Sequence, residues 1–129
     1  MGPKSRRIRT VVADDSRTAL RSICRFLEVF EDVEVLGTAR DGVDLLAKVK
    51  MLRPELVLTD LSMPRMSGLE AAMELKKTNP GLQVIIFTEL CGLSLREECI
   101  RRGADGFVEK TQIPERLMEE VRLLFPQNP

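Results

Sequence analysis

The sequence predicts an α/β fold of the doubly wound kind, a five-stranded parallel sheet with helices on both faces. Two observations carry that expectation: short apolar runs are bounded by polar or Gly residues, and they alternate with helical patterns five times over. Four of the runs, Ile8 to Ala13, Leu56 to Thr59, Val84 to Thr88 and Gly106 to Val108, are rich in Val, Ile, Leu or Phe and read as largely buried strands. The fifth, Val33 to Ala39, places Glu34 between Val33 and Val35, as an edge strand with one wetter face would.

Between the strands, Leu20, Ile23, Cys24 and Leu27 share one helical face, as do Leu117, Met118, Val121, Leu124 and Phe125. Ser67 with Glu70, and Ser94 with Glu97, have the spacing of a capping box, which predicts a helix start at each. Arg53-Pro54, Asn79-Pro80-Gly81 and Gly103 predict the stops.

At 129 residues the chain has room for one continuous core, which we expect to span residues 8–125 between short tails at 1–7 and 126–129. Its 20 basic and 20 acidic residues cancel, so no overall field draws it to nucleic acid or an anionic membrane. The basic run Lys4, Arg6, Arg7 and Arg9 reads as a solvated tail. No apolar stretch predicts a membrane span or a signal peptide, and a cytoplasmic protein is expected. Cys24, Cys91 and Cys99 lack zinc-type spacing and fit reduced thiols. Histidine is absent, so any chemistry must run on carboxylates, hydroxyls and lysine.

Open parallel sheets bind ligands beyond the carboxyl ends of their strands. Asp14 and Asp15 follow the first strand, Asp60 the third, and Glu109 and Lys110 the fifth, while Thr88 ends the fourth. Each could be a plain helix cap or junction residue. Together, three carboxylates at one mouth need a cation, and an oxygen-only donor set selects a hard ion such as Mg²⁺. Carboxylates, a metal, a lysine and a hydroxyl describe phosphoryl transfer, in which Asp60 can act as a nucleophile toward phosphorus.

These residues give the chain its resemblance to the receiver domains of two-component response regulators. It rests on Val11-Val12-Ala13-Asp14-Asp15-Ser16, on Asp60-Leu61-Ser62-Met63-Pro64 followed by Gly68, on Ile85-Ile86-Phe87-Thr88, and on Gly103-Ala104-Asp105-Gly106-Phe107 leading to Lys110. The resemblance implies a flavodoxin-like sheet in the order 2-1-3-4-5. It implies that Asp60 is the phosphoacceptor, that Asp14, Asp15, Asp60 and the backbone carbonyl of Ser62 hold Mg²⁺, that Thr88 and Phe107 form a switch pair, and that Lys110 binds phosphate. Strand patterning alone reads Phe107 equally well as core. A histidine kinase or phosphotransfer protein is the implied donor. Output would pass by contact to a downstream protein effector through the surface of helix 4, strand 5 and helix 5, from a monomer or a phosphorylation-dependent dimer. The chain departs from the family's usual pattern in two places: Glu89 stands where a small residue usually follows the Thr, with consequences for access, and Thr111 stands where Pro often follows the Lys.

Two other readings share parts of this pattern. An aspartate-nucleophile phosphatase would need an acid or base two residues after Asp60, where Ser62 stands, and a vestigial receiver would act as a pure interaction module. A flavodoxin-type electron carrier fits poorly, because Asp14 and Asp15 would repel a flavin phosphate and no Trp or Tyr is available to stack.

Overall fold

The computed structural model describes residues 7–89 and 92–126. In chain order the elements are β1 (Ile8–Ala13), α1 (Arg17–Glu28), β2 (Val33–Ala39), α2 (Gly42–Leu52), β3 (Leu56–Asp60), α3 (Gly68–Thr78), β4 (Gln83–Thr88), α4 (Leu93–Arg101), β5 (Gly106–Glu109), a 3₁₀ turn at Lys110–Gln112, and α5 (Ile113–Leu124). All four strand pairings are parallel and the sheet order is β2-β1-β3-β4-β5, which puts β2 on one edge as expected.

Alternation along the strands divides the core. Leu56 and Leu58 of β3, with Ile85 and Phe87 of β4, pack against Leu20, Ile23 and Leu27 of α1 and Leu117 and Val121 of α5. Their neighbours Val57, Val84 and Ile86 point to the other face, where Leu45, Val49, Ala71, Leu75 and Cys99 of α2, α3 and α4 cover them. Strands buried on both faces are what near-continuous apolar runs encode. Cys99 is the buried residue of α4, so that helix is held to the sheet by less apolar surface than its neighbours. Burial pushes the thiols of Cys24 and Cys99 up from their ordinary range, so both are poor nucleophiles. Cys91 lies outside the described residues. Among the described residues no helix is long and apolar enough to cross a membrane.

Several local expectations are corrected. The Ser67–Glu70 capping box forms, with reciprocal bonds of 3.1 Å. The Ser94–Glu97 box does not: α4 begins at Leu93 and its N-cap is Gly92, with φ at 133°, so Ser94 is already helical and cannot cap. β3 extends through Asp60 and β5 through Glu109, one residue further each than the apolar runs suggest, because the ladder continues under polar side chains. Phe125 follows α5 as its C-cap rather than sharing its face, and packs half-buried against the core.

The basic run is only partly a tail. Arg7 donates to the carbonyls of Glu31 and Val33, at 3.2 and 2.8 Å, and the Arg9 guanidinium donates to the Arg53 carbonyl, so both tie β1 to its neighbours. Lys4 and Arg6 lie outside the described residues.

Candidate functional site

The parallel order brings the carboxyl ends of β1, β3, β4 and β5 to one side of the sheet. Asp14 continues the ladder just past β1, its amide donating to the Ala39 carbonyl at 3.0 Å. Its carboxylate accepts the Ser16 amide at 2.9 Å, while Ser16 in turn caps α1 by accepting the Ala19 amide at 3.1 Å. One local turn thus buries Asp14 completely and leaves Asp15 exposed. Asp60 ends β3 at 7% exposure, opposite Phe87 of β4, and the next amide, of Leu61, donates to the Phe87 carbonyl at 2.9 Å.

The carboxylates of Asp14, Asp15 and Asp60 present oxygens within 4.8 Å of one another. Like charges at that separation repel by roughly 3 to 4 kcal/mol per pair at an effective dielectric near 20. Lys110 partly offsets this, its Nζ lying 2.8 Å from Asp14 Oδ2 and 3.5 Å from Asp60 Oδ2. It also lies 5.6 Å from the centroid of the Phe87 ring. Lys110 is thus the charged partner of the buried Asp14 Oδ2. Three carboxylates and one ammonium leave a net double negative charge.

The titration behaviour follows from this geometry. Burial, then the neighbouring Asp14 carboxylate, pushes Asp60 above the usual aspartate range, and Lys110 only partly opposes them. Burial works against the charge on Lys110, but Asp14 and Asp60 outweigh it and hold its pKa above that of an ordinary lysine.

These groups fit a divalent cation. An octahedral Mg²⁺ with bonds of about 2.1 Å sets adjacent oxygens about 3.0 Å and opposite ones about 4.2 Å apart, so the trio would draw together to close around the ion. Asp14 Oδ2, fully buried and paired with Lys110, is a carboxylate oxygen such an ion could take. An oxygen-only donor set suits Mg²⁺ over Zn²⁺ or copper.

The remaining expected residues fall around this centre. Thr88, 3% exposed, ends β4 and pairs in register with Glu109, while Phe107 pairs with Ile86. Thr88 and Ile86 are two residues apart on one strand face, so Thr88 and Phe107 are diagonal neighbours on adjacent strands. Phe107 is 5% exposed and packs in the α2, α3 and α4 core, with Cys99 and Ala104 among its company. Ser62 is exposed in the loop after β3. Glu89 is exposed directly after Thr88, and the ion pairs of Lys110 go to Asp14 and Asp60 rather than to it. No peptide bond among the described residues is cis, so Lys110–Thr111 is trans.

Sequence reasoning missed a second layer. The β2–α2 loop packs on the loop after Asp60: a Cβ on Gly42 would stand 2.3 Å from the Met66 carbonyl oxygen, and Asp41 pairs with Arg65 at 3.7 Å. Arg40 of the same loop donates to the Asp15 carbonyl at 3.4 Å. Arg96 of α4 donates to the Phe107 carbonyl at 3.2 Å, tying that helix to the strand that carries Phe107. A glycine after an aspartate cap was the available signal for the first of these; Arg96 had none, being one exposed-looking cation among many.

Residues 10–122 match the response regulator receiver domain. The chain is 33% identical over 131 residues to a protein-glutamate methylesterase/protein-glutamine glutaminase of Clostridium acetobutylicum, covering 95% of this chain and 38% of that protein. It is 34% identical over 116 residues to the transcriptional regulatory protein YxjL of Bacillus subtilis, covering 90% of this chain and 53% of the other. The chain therefore spans between about a third and a half of the length of these relatives. In structure it superposes on the response regulator domain of Thermotoga maritima CheB with a TM-score of 0.85 at 27% identity, covering 96% of this chain and all of that one. The chain belongs to the response regulator receiver domain family of two-component signalling.

Proposed function

We propose that Asp60 is the phosphoacceptor of this receiver, that Asp14, Asp15, Asp60 and the Ser62 carbonyl hold its Mg²⁺, and that Lys110 and Thr88 bind the transferred phosphoryl group. The observation that carries the reading is the convergence of three carboxylates, two of them paired with Lys110, at the carboxyl ends of the strands. An Asp60 carboxylate oxygen forms a bond to phosphorus as the phosphorus–nitrogen bond of a donor phosphohistidine breaks, and the imidazole leaves with the electron pair. The bound metal supplies charge neutralisation at the phosphoryl oxygens. Lys110 offers an ammonium that already faces Asp60, and Thr88 a hydroxyl one strand away. The chain's own chemistry is limited to gaining and losing this phosphoryl group; the methylesterase activity belongs by name to relatives of which it matches 38%.

Receiver domains work between a histidine kinase and a downstream effector, and the reading places this chain there, with Thr88 and Phe107 as the pair that carries the change. Phe107 moving in step with Thr88 would disturb the Arg96 bond and with it α4. Incubation with Mg²⁺ and acetyl phosphate followed by intact mass is expected to show one phosphoryl adduct, located at Asp60 by peptide mapping. Its absence under saturating donor, or its location elsewhere, would overturn the assignment.

Glu89 adds a smaller prediction. Exposed at the mouth and not engaged with Lys110, it acts on a dianionic donor only by repulsion. Glu89→Ala is expected to speed phosphorylation by acetyl phosphate a few-fold at low salt, the scale of an exposed charge interaction of ~0 to 1 kcal/mol, with the gap closing as salt rises. Equal rates at low salt would make Glu89 an ordinary loop residue.

A further inference from the structure

We propose that the groove between the C-terminal halves of α2 and α3 is a second binding site, one that takes an acidic, leucine-bearing segment of a partner protein. The groove encloses about 710 Å³, within the roughly 300 to 1,000 Å³ typical of ligand sites. Leu46, Val49 and Leu75 form its apolar floor, and Lys50 and Arg53 stand at its α2 wall. Leu46, Val49, Lys50 and Arg53 are spaced i, i+3, i+4 and i+7, so one face of α2 supplies both the floor and the cations. The groove lies away from the phosphoacceptor: Arg53 and Pro54 lead into the start of β3, and Asp60 closes that strand about 13 Å beyond Leu56.

The charges single the groove out. Among the described residues, the Lys and Arg side chains with no ion pair or hydrogen bond are Arg17, Arg21 and Arg25, an exposed row along α1, and Lys50 and Arg53. Only the second group flanks a cavity with an apolar floor. Glu74 on the facing wall is shared with Lys77, 3.2 Å away in an exposed pair, and the two cations of α2 leave the lining net positive.

Arg53 adds an independent observation. It adopts the left-handed conformation, φ 52° and ψ 59°, at the position past a helix end where glycine is favoured. The cap itself is made by backbone: the Arg53 amide donates to the Val49 carbonyl at 2.9 Å, and its own carbonyl accepts from Arg9. Nothing in the helix stop therefore requires an arginine side chain, and its guanidinium is left at the rim.

Two cations beside an apolar floor are complementary to a leucine flanked by carboxylates, as on one face of an amphipathic helix. They are too few for a nucleic-acid footprint, and the zero net charge gives no field to support one. Because the site lies at the opposite end from Asp60, occupancy does not depend on the phosphorylation state.

The test is titration of the isotope-labelled full chain, followed by amide shifts, with a synthetic amphipathic helical peptide that carries leucines flanked by glutamates. A counterpart with lysine for glutamate and a small amphiphile, hexanoate, serve as comparisons. We expect shifts centred on Leu46, Val49 and Leu75, binding about tenfold weaker for the lysine peptide, and the same affinity in Asp60→Asn. The last arm separates this site from the phosphoacceptor reading, which can fail while the groove still binds. Arg53→Gly is expected to weaken the glutamate peptide about tenfold while leaving the thermal midpoint unchanged or raised, an outcome a purely structural Arg53 would not give. The proposal is overturned by an absence of groove shifts with the glutamate peptide, by equal binding of the lysine peptide, by full affinity in Arg53→Gly, or by hexanoate occupying the groove as tightly as the peptide does.

Discussion

Asp60→Asn is expected to take up no phosphate from acetyl phosphate with Mg²⁺ present, because the amide offers no anionic oxygen to attack phosphorus. The same variant is expected to be more stable than the parent when both are free of metal at neutral pH. Burial and the Asp14 carboxylate raise the folded pKa of Asp60, so the folded chain holds a proton there more tightly than the unfolded chain does. By linkage, this carboxylate destabilises the fold at pH values above its raised pKa. The penalty fades as pH falls through that value and is gone below the unfolded value of about 4. The Asn variant escapes the penalty throughout, so its advantage should be largest near neutral pH and shrink on acidification. Mg²⁺ should reverse the order: an ion that binds the folded state stabilises by mass action, and the variant has lost one of three carboxylates. Thermal midpoints with and without Mg²⁺ across pH 4 to 8 check both parts. Phosphate uptake by the Asn variant at the parent rate would remove Asp60 from its role, and a lower metal-free midpoint for the variant would contradict the electrostatic account.

The centre of this site was legible because its residues sit where strands end, and strand ends can be read. Asp14 and Asp60 each follow an unbroken apolar run, and parallel topology then forces them together. What the sequence could not show is how charge is shared inside the cluster. Lys110 reads as a partner for phosphate, yet in the fold it lies closer to Asp14 than to Asp60. That preference depends on the depth at which Asp14 is buried. Each failure has its own physical cause. Ser94 and Glu97 match a capping box, but Gly92 takes a conformation open to glycine and starts α4 before Ser94 can cap it. Arg7 and Arg9 look like a free basic tail, but carbonyls of Glu31, Val33 and Arg53 lie within their reach through chain crossings that no short window reveals. Pattern reading finds what neighbours in sequence determine; contacts between distant loops, such as Gly42 on Met66, need the assembled sheet.

Gly68→Ala is expected to damage both stability and phosphorylation, through space rather than backbone conformation. Gly68 opens α3, and its amide donates to the Leu61 carbonyl at 2.8 Å, which draws the helix start tightly onto the end of β3. A Cβ there would stand 1.9 Å from the Asp60 carbonyl oxygen and 2.9 Å from Thr59 Oγ1. The first obstacle is backbone, held on its far side by pairing with β4, and it cannot rotate away as a side chain would. Either α3 lifts or the end of β3 shifts, in each case by about 1 Å or more. Alanine is the better helix former by roughly 0.5 to 1 kcal/mol, but overpacking of this kind costs about 1 to 3 kcal/mol, so a net loss of stability is expected. Asp60 moves with its own carbonyl, and a misplacement of about 1 Å at a reacting group can cost on the order of 100-fold in rate. The matched control is Gly81→Ala, where an added Cβ meets nothing within 4 Å; there the smaller unfolded-state entropy of alanine should leave stability unchanged or slightly raised. Denaturant midpoints and rates of phosphorylation by acetyl phosphate, measured for both variants, decide the matter. If Gly68→Ala matched the parent in both, the close approach of α3 to Asp60 would not be what holds the phosphoacceptor in place.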